Sequence, residues 1–157
     1  MSVDYAALER AVPAGALIAL DASATLSYLS GAEVASPVAA WIFDGCISTG
    51  RNSGLLSTLT AAELLVRPFR SGAASVATIE GFLRFFGGIK LMDVSYAIAR
   101  EAARVRATTN LAMPDAIVVA TALEGGAGIL ATNDRGWPAV ASAGGPAILL
   151  LGDFVTA

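Results

Sequence analysis

The sequence contains no histidine, a single cysteine (Cys46) and a single lysine (Lys90) among its 157 residues. The missing histidine excludes Ser-His-Asp and Cys-His nucleophilic sites and histidine-bound zinc. A lone cysteine makes neither a disulfide framework nor a thiolate metal cage. Any metal must therefore sit on oxygen ligands, which favours hard cations such as Mg²⁺, Mn²⁺ or Ca²⁺. Long apolar runs are missing too, although the mean hydropathy is high at +0.67. No stretch reaches the roughly 18 apolar residues of a membrane-spanning helix. The longest uncharged run, 136–152, is broken by Pro138, Gly144, Gly145 and Pro146. The opening MSVDYAALER is charged and amphipathic, unlike a secretory leader. The expectation is a soluble cytoplasmic protein with no membrane segment. Its apolar excess should fill a large core and an oligomer interface, with a homodimer as the expected assembly.

The net charge of −3 counts mildly against a nucleic-acid binder. Nine of the ten basic residues are arginine, however, the better bidentate partner for phosphate.

The length suits one domain spanning 1–157, with 1–15 as a short N-terminal helix or arm (helix over 3–11). Apolar runs at 16–20 (ALIAL), 54–59 (GLLSTL), 89–92, 128–131 and 147–151 read as strands. Helices are expected over 23–29, 35–47, 60–69, 73–86, 95–107 and 114–124, several of them stopped by glycine. Strands alternating with helices predict a three-layer α/β/α sandwich on a mostly parallel sheet of about five strands.

Four acids stand out, and singly each has an ordinary structural account. Asp21, after the first strand, can cap the helix that follows. Glu63 ends Thr60-Ala-Ala-Glu63, which reads as a capping box. Asp115, behind Pro114, suits a helix start and its dipole. Asp134, in Thr132-Asn133-Asp134, is an ordinary turn residue. Jointly they are harder to dismiss. Asp21, Glu63 and Asp134 follow apolar strands, whose carboxyl ends form one crevice in an open α/β sheet, and Asp115 can face the same crevice. Carboxylates brought together repel unless something neutralises them, and with one lysine and no histidine a divalent cation is the natural agent.

These segments resemble the motifs of the PIN-domain nucleases. Leu20-Asp21-Ala22-Ser23 is similar to the first motif, an acid at a strand end with a hydroxyl two residues on. Thr60-Ala-Ala-Glu63 resembles the second, Met113-Pro114-Asp115 with its small-residue helix the third, and Thr132-Asn133-Asp134 with Trp137 beyond it the fourth. The order and rough spacing match over residues 16–151. The resemblance implies a Mg²⁺- or Mn²⁺-dependent endoribonuclease that hydrolyses RNA phosphodiester bonds. It also brings in the VapC-type toxins of type II toxin–antitoxin pairs, and with them an antitoxin partner. Asp21, Glu63 and Asp115 would hold the metal, directly or through water, and Asp134 would complete the site. Ser23 and Thr132 would orient carboxylates or a phosphate, with Asn133 beside them, although helix-start and turn roles explain these residues equally well.

Arg67 and Arg70 follow Glu63 on its helix and Arg135 adjoins Asp134, so all three are candidates to line a substrate path. Ordinary solvated charge is the plainer account of each. Arg100, Arg104 and Arg106 form a second basic face or pair with Glu101. Trp41, Phe43, Phe82, Phe85 and Phe86 read as core or interface, while Tyr28 and Trp137, near the acids in sequence, are candidates to touch substrate. A receiver-like phosphoacceptor would need paired acids after the first strand and a late lysine, but Ala22 follows Asp21 and the lysine is Lys90. An aspartyl phosphatase would want an acid where Ser23 stands. The remaining alternative is a non-catalytic PIN-like module binding RNA or protein; retention of all four acids speaks for catalysis.

Overall fold

The computed structural model describes residues 1–137, 140 and 144–157; Pro138 in the uncharged run lies outside them. Ser2–Val3 (β1) and Tyr5–Ala11 (α1) come first. A five-stranded sheet follows, built from Leu17–Leu20 (β2), Ser53–Ser57 (β3), Ile89–Met92 (β4), Ile129–Thr132 (β5) and Ala147–Leu150 (β6). Its order is β4-β3-β2-β5-β6, and every neighbouring pair is parallel. The expected α/β/α architecture is therefore present.

Side chains alternate across the sheet, so each strand feeds two cores. Ile18, Leu20 and Leu56 pack on one face with Ala22–Ser30 (α2), Ser36–Ala40 (α3) and Thr58–Ser71 (α4). Ala19, Leu55 and Leu130 pack on the other with Tyr96–Thr109 (α6) and Met113–Glu124 (α7). Small residues draw α7 close. A Cβ on Gly125 would lie 2.3 Å from Leu55 Cδ2 and 3.0 Å from the Thr121 carbonyl.

Several expectations are corrected. The helix expected over 35–47 is α3 followed by a wider π-type turn, Trp41–Ile47, in which the Ser48 N–H reaches back to the Phe43 carbonyl at 2.8 Å. The second strand ends at Ser57, two residues early, and the Ser57 hydroxyl caps α4 by accepting from the Leu59 N–H at 3.2 Å. Thr60 is thus no cap. It is fully buried inside the first turn, its Oγ1 without a partner among the described residues. With no capping box, Glu63 is released from its structural account.

Much of the apolar excess of the early helices goes into the core, although Leu26 on α2 stays exposed. Phe43 is fully buried, and Tyr28 stacks on it at 4.3 Å between ring centroids. Phe82 and Phe86 close the cluster. The Tyr28 hydroxyl donates to Asp44 at 2.8 Å, and burial followed by that carboxylate pushes its pKa to about 12. Trp137 is likewise buried, against the second core, and cannot face a substrate. Further exposed apolar side chains lie on α4 and on Ala73–Phe85 (α5), at Val66, Phe69 and Phe85.

The chain ends hold a pair the sequence did not announce. Beyond β6, residues Leu151–Phe154 form a 3₁₀ turn and Val155–Thr156 (β7) pairs antiparallel with β1. Among the described residues no helix is long and apolar enough to cross a membrane.

Candidate active site

Parallel strands all end on one side of the sheet, and β2 and β5 are neighbours, so the residues after them meet. Asp21 follows β2 directly and caps α2 by accepting from the Ala24 N–H at 2.8 Å. Its ordinary role is therefore real, but it accounts for only part of one oxygen. Thr132, the last residue of β5, donates from Oγ1 to Asp21 Oδ2 at 2.6 Å. The Ser23 hydroxyl bridges both Asp21 oxygens at 2.9 and 3.0 Å. Each hydroxyl also accepts a backbone N–H, that of Asn133 onto Ser23 at 2.8 Å and that of Asp134 onto Thr132 at 3.0 Å. Two relays thus tie the turn after β5 to the buried Asp21 carboxylate.

The other acids approach from separate elements. Glu63 sits in the second turn of α4, and Asp115 in the first turn of α7 behind Pro114. Asp134 Oδ1 accepts from the Gly136 N–H at 2.8 Å, the turn role expected of it. Burial raises the Asp21 pKa against the lowering by Ala24, Thr132 and Ser23, and the Asp115 charge raises it further. Partial desolvation in the crevice raises that of Glu63, then the charges of Asp115 and Asp21. Desolvation raises that of Asp115, then the charge of Asp134. Asp115 is thus the common neighbour: its charge acts on Asp21 and Glu63, and the Asp134 charge acts on it.

Among the described residues no three acidic or cysteine side chains close into a ready-made ion cage. The acids are near enough to disfavour one another's charge, and repulsion opposes closer approach. The donor set nevertheless fits a hard divalent cation. It is all oxygen, uniformly anionic, and anchored at Asp21 by fixed donors.

The flanking residues divide. Arg67, one helical turn beyond Glu63, lines a hollow with it. Arg70 stands exposed in the last turn of α4, away from that hollow. Arg135 leans toward Asp153 at 3.7 Å, a solvent-exposed pair of little energetic worth. Arg104 pairs with Glu101 at 2.8 Å, and Arg106 bonds the Leu111 carbonyl. Sequence reasoning passed over Glu33, which lines the same hollow as Glu63; no motif marks it, because its position depends on how α2 turns into α3.

The PIN-domain family model matches residues 18–143, a span containing all four acids. No curated protein matches the chain. Among solved structures, a toxin–antitoxin complex from Klebsiella pneumoniae is similar at a TM-score of 0.66 and 17% identity, over 85% of this chain and 97% of that one. FitAcB from Neisseria gonorrhoeae is similar at 0.64 and 22%, over 86% and 98%. VapC20 from Mycobacterium tuberculosis, a sarcin–ricin-loop-cleaving toxin, is similar at 0.61 and 15%, over 80% and 94%. At these identities the likeness is one of fold.

Proposed function

This chain belongs to the PIN-domain family, and from that premise we propose that it is a Mg²⁺- or Mn²⁺-dependent endoribonuclease. The observation that carries the reading is the convergence of Asp21, Glu63 and Asp115 from three elements into partly desolvated positions, close enough that the Asp115 charge raises the pKa of both Asp21 and Glu63 and the Asp21 charge raises that of Glu63. Acids held together at a cost to stability support a site that a cation is to neutralise.

When bound, the cation supplies Lewis acidity and makes water a competent nucleophile near neutral pH. The protein's part is positioning. Asp21, locked by Ser23 and Thr132, gives a rigid anionic anchor at the floor. Glu63 and Asp115 supply the other walls, and Asp134 extends the acidic lining toward the turn after β5. Arg67 is placed to hold a phosphate flanking the one that is cut, against the acidic field.

Two partners belong to the proposal. The similar Klebsiella protein is a toxin–antitoxin complex, which supports a toxin role here and an antitoxin polypeptide partner. The exposed Val66, Phe69 and Phe85 support a homodimer. The site of action would be the cytoplasm. The deciding test is cleavage of single-stranded RNA with Mg²⁺ or Mn²⁺, with EDTA and Asp115→Asn as controls. RNA cutting lost in both controls supports the reading, and equal cutting in EDTA removes it. Metal and RNA binding without cutting would point to the non-catalytic module.

A further inference from the structure

The crevice does not stop at the acids. A hollow of about 300 Å³ opens beside Glu63, walled by Leu26, Leu29, Leu64 and Ile79, with Glu33 on its rim. A second hollow of about 350 Å³ shares Arg67, Pro68 and Ile79 with the first and is otherwise lined by the hydroxyls of Ser71, Ser75 and Thr78. The path leading away from Glu63 is therefore apolar first, then cationic and hydroxylic. A single nucleic-acid strand shows the same alternation, a flat base followed by its sugar and phosphate.

The polar groups are set for that ligand. Ser71 and Thr78 donate to the Arg67 and Ala74 carbonyls, each at 3.0 Å. Toward the groove these two hydroxyls are acceptors, suited to a ribose 2′-hydroxyl. Among the described residues Arg67 has no carboxylate within salt-bridge distance, leaving its guanidinium to a phosphate. Glu33 is held on both sides. The Ser27 hydroxyl donates to its Oε2, and its backbone N–H donates to Ser36 Oγ at 3.0 Å. Among the described residues its Oε1 accepts no hydrogen bond. A fixed carboxylate at the rim of an apolar slot accepts from the amino groups of guanine, adenine or cytosine. Uracil flanks its one N–H with two carbonyl oxygens, which the carboxylate repels.

We propose that the first hollow is a base subsite. It takes one unstacked base next to the cut phosphate, and Glu33 selects an amino-bearing base over uracil. Arg67 and the α4–α5 hydroxyls hold the adjoining sugar and phosphate. The inference rests on the ribonuclease reading above. The competing occupant, a helix of a protein partner, would be served by the apolar walls but not by the hydroxyl-lined continuation.

The test uses single-stranded RNAs identical except for A, C, G or U at each position flanking the cut, with kcat/KM measured in Mn²⁺. Titration of guanosine and uridine 5′-monophosphates, followed through the Ile79 methyl resonances, supplies a readout without cleavage. At one position the wild type should prefer an amino-bearing base over uracil by about tenfold, the worth of one good base contact. Glu33→Gln should pull that ratio toward one and abolish the difference between the two nucleotides at Ile79. Ile79→Trp, which fills the hollow, should raise KM while leaving the Mn²⁺ dependence in place. If the wild type cuts RNA and the ratio is unchanged in both variants, the base subsite is wrong, the ribonuclease reading stands, and the hollow passes to a protein partner. If no RNA is cut with either metal, both readings fail together.

Discussion

Thr132 and Asp21, at the ends of neighbouring parallel strands, are joined by a 2.6 Å hydrogen bond in which the Thr132 hydroxyl donates. Because the same oxygen accepts the Asp134 N–H, it connects the first and last acidic segments. Thr132→Val keeps the shape and removes both bonds. It should cost about 1–3 kcal/mol, the penalty for orphaning buried polar groups, and weaken Mn²⁺ activation of cleavage, while Thr132→Ser restores both. Thermal melts and metal titrations of the three proteins check this; a Thr132→Val protein matching wild type in both would refute the positioning role.

The acids should differ in what they do to the fold. Asp21→Asn, Glu63→Gln and Asp115→Asn should each abolish metal-dependent cleavage without unfolding the protein. In the absence of metal, Glu63→Gln and Asp115→Asn should be more stable than wild type by about 0.2–1 kcal/mol, a range suited to partly exposed charges. Asp21→Asn should gain less, because relief of the buried charge is offset by a poorer acceptor for Ser23 and Thr132. Melts in EDTA decide the order, and a larger gain at Asp21 than at Asp115 would contradict it.

The pH dependence has a definite sign. Asp21, Glu63 and Asp115 all have raised pKa values in the folded protein. Below the ordinary carboxylate value, about 4, both folded and unfolded chains are protonated and these groups cost nothing. As pH rises from there through the raised folded values, the unfolded chain gives up its protons first and stability is lost. The stability advantage of Asp115→Asn over wild type should therefore open between about pH 4 and neutrality and close when Mn²⁺ is added, since the ion binds the charged form. A gap that stays constant with pH, or that widens with Mn²⁺, would count against the raised Asp115 pKa, which desolvation and then the Asp134 charge produce, as its source.

Gly125 tests the packing of α7 on the sheet, at the end of the helix opposite Asp115. Gly125→Ala should destabilise by about 1–3 kcal/mol, as overpacking does, because its Cβ would meet Leu55 Cδ2 at 2.3 Å. Leu55→Ala in the same chain should recover part of that loss. A melting temperature equal to wild type for the single variant would show that the α7–β3 contact gives way easily.

What the sequence made legible follows from how far each signal reaches. Strands show as short apolar runs, and even the edge strand β4, whose two central residues are exposed, falls on the expected residues. Boundaries that depend on a single hydroxyl were less visible. Leu59 looked like the end of a strand, but Ser57 captures its N–H and starts α4 early, so the apparent capping box at Thr60 vanished. The two-residue strands β1 and β7 carry no periodicity and could not be read at all. The meeting of Asp21 with the turn that carries Asp134 was legible because strand ends converge in any parallel sheet. Trp137 and Glu33 were misjudged for a common reason. Nearness along the chain suggested contact with substrate for the first and nothing for the second, whereas tertiary packing buries Trp137 and brings Glu33 to the hollow beside Glu63.

The β1–β7 pair also gives the molecule a mechanical weak point. Ser2 lies opposite Thr156 and Val3 opposite Val155, so tension applied at the two ends of the chain would open this ribbon like a zipper, one rung after another, instead of shearing its bonds together. The parallel sheet would bear load only after that clasp had parted. Force would thus first free α1 and the 3₁₀ turn, which the Asp4 N–H bond to the Phe154 carbonyl holds together at 2.9 Å, and would reach the strands that carry the acids afterwards.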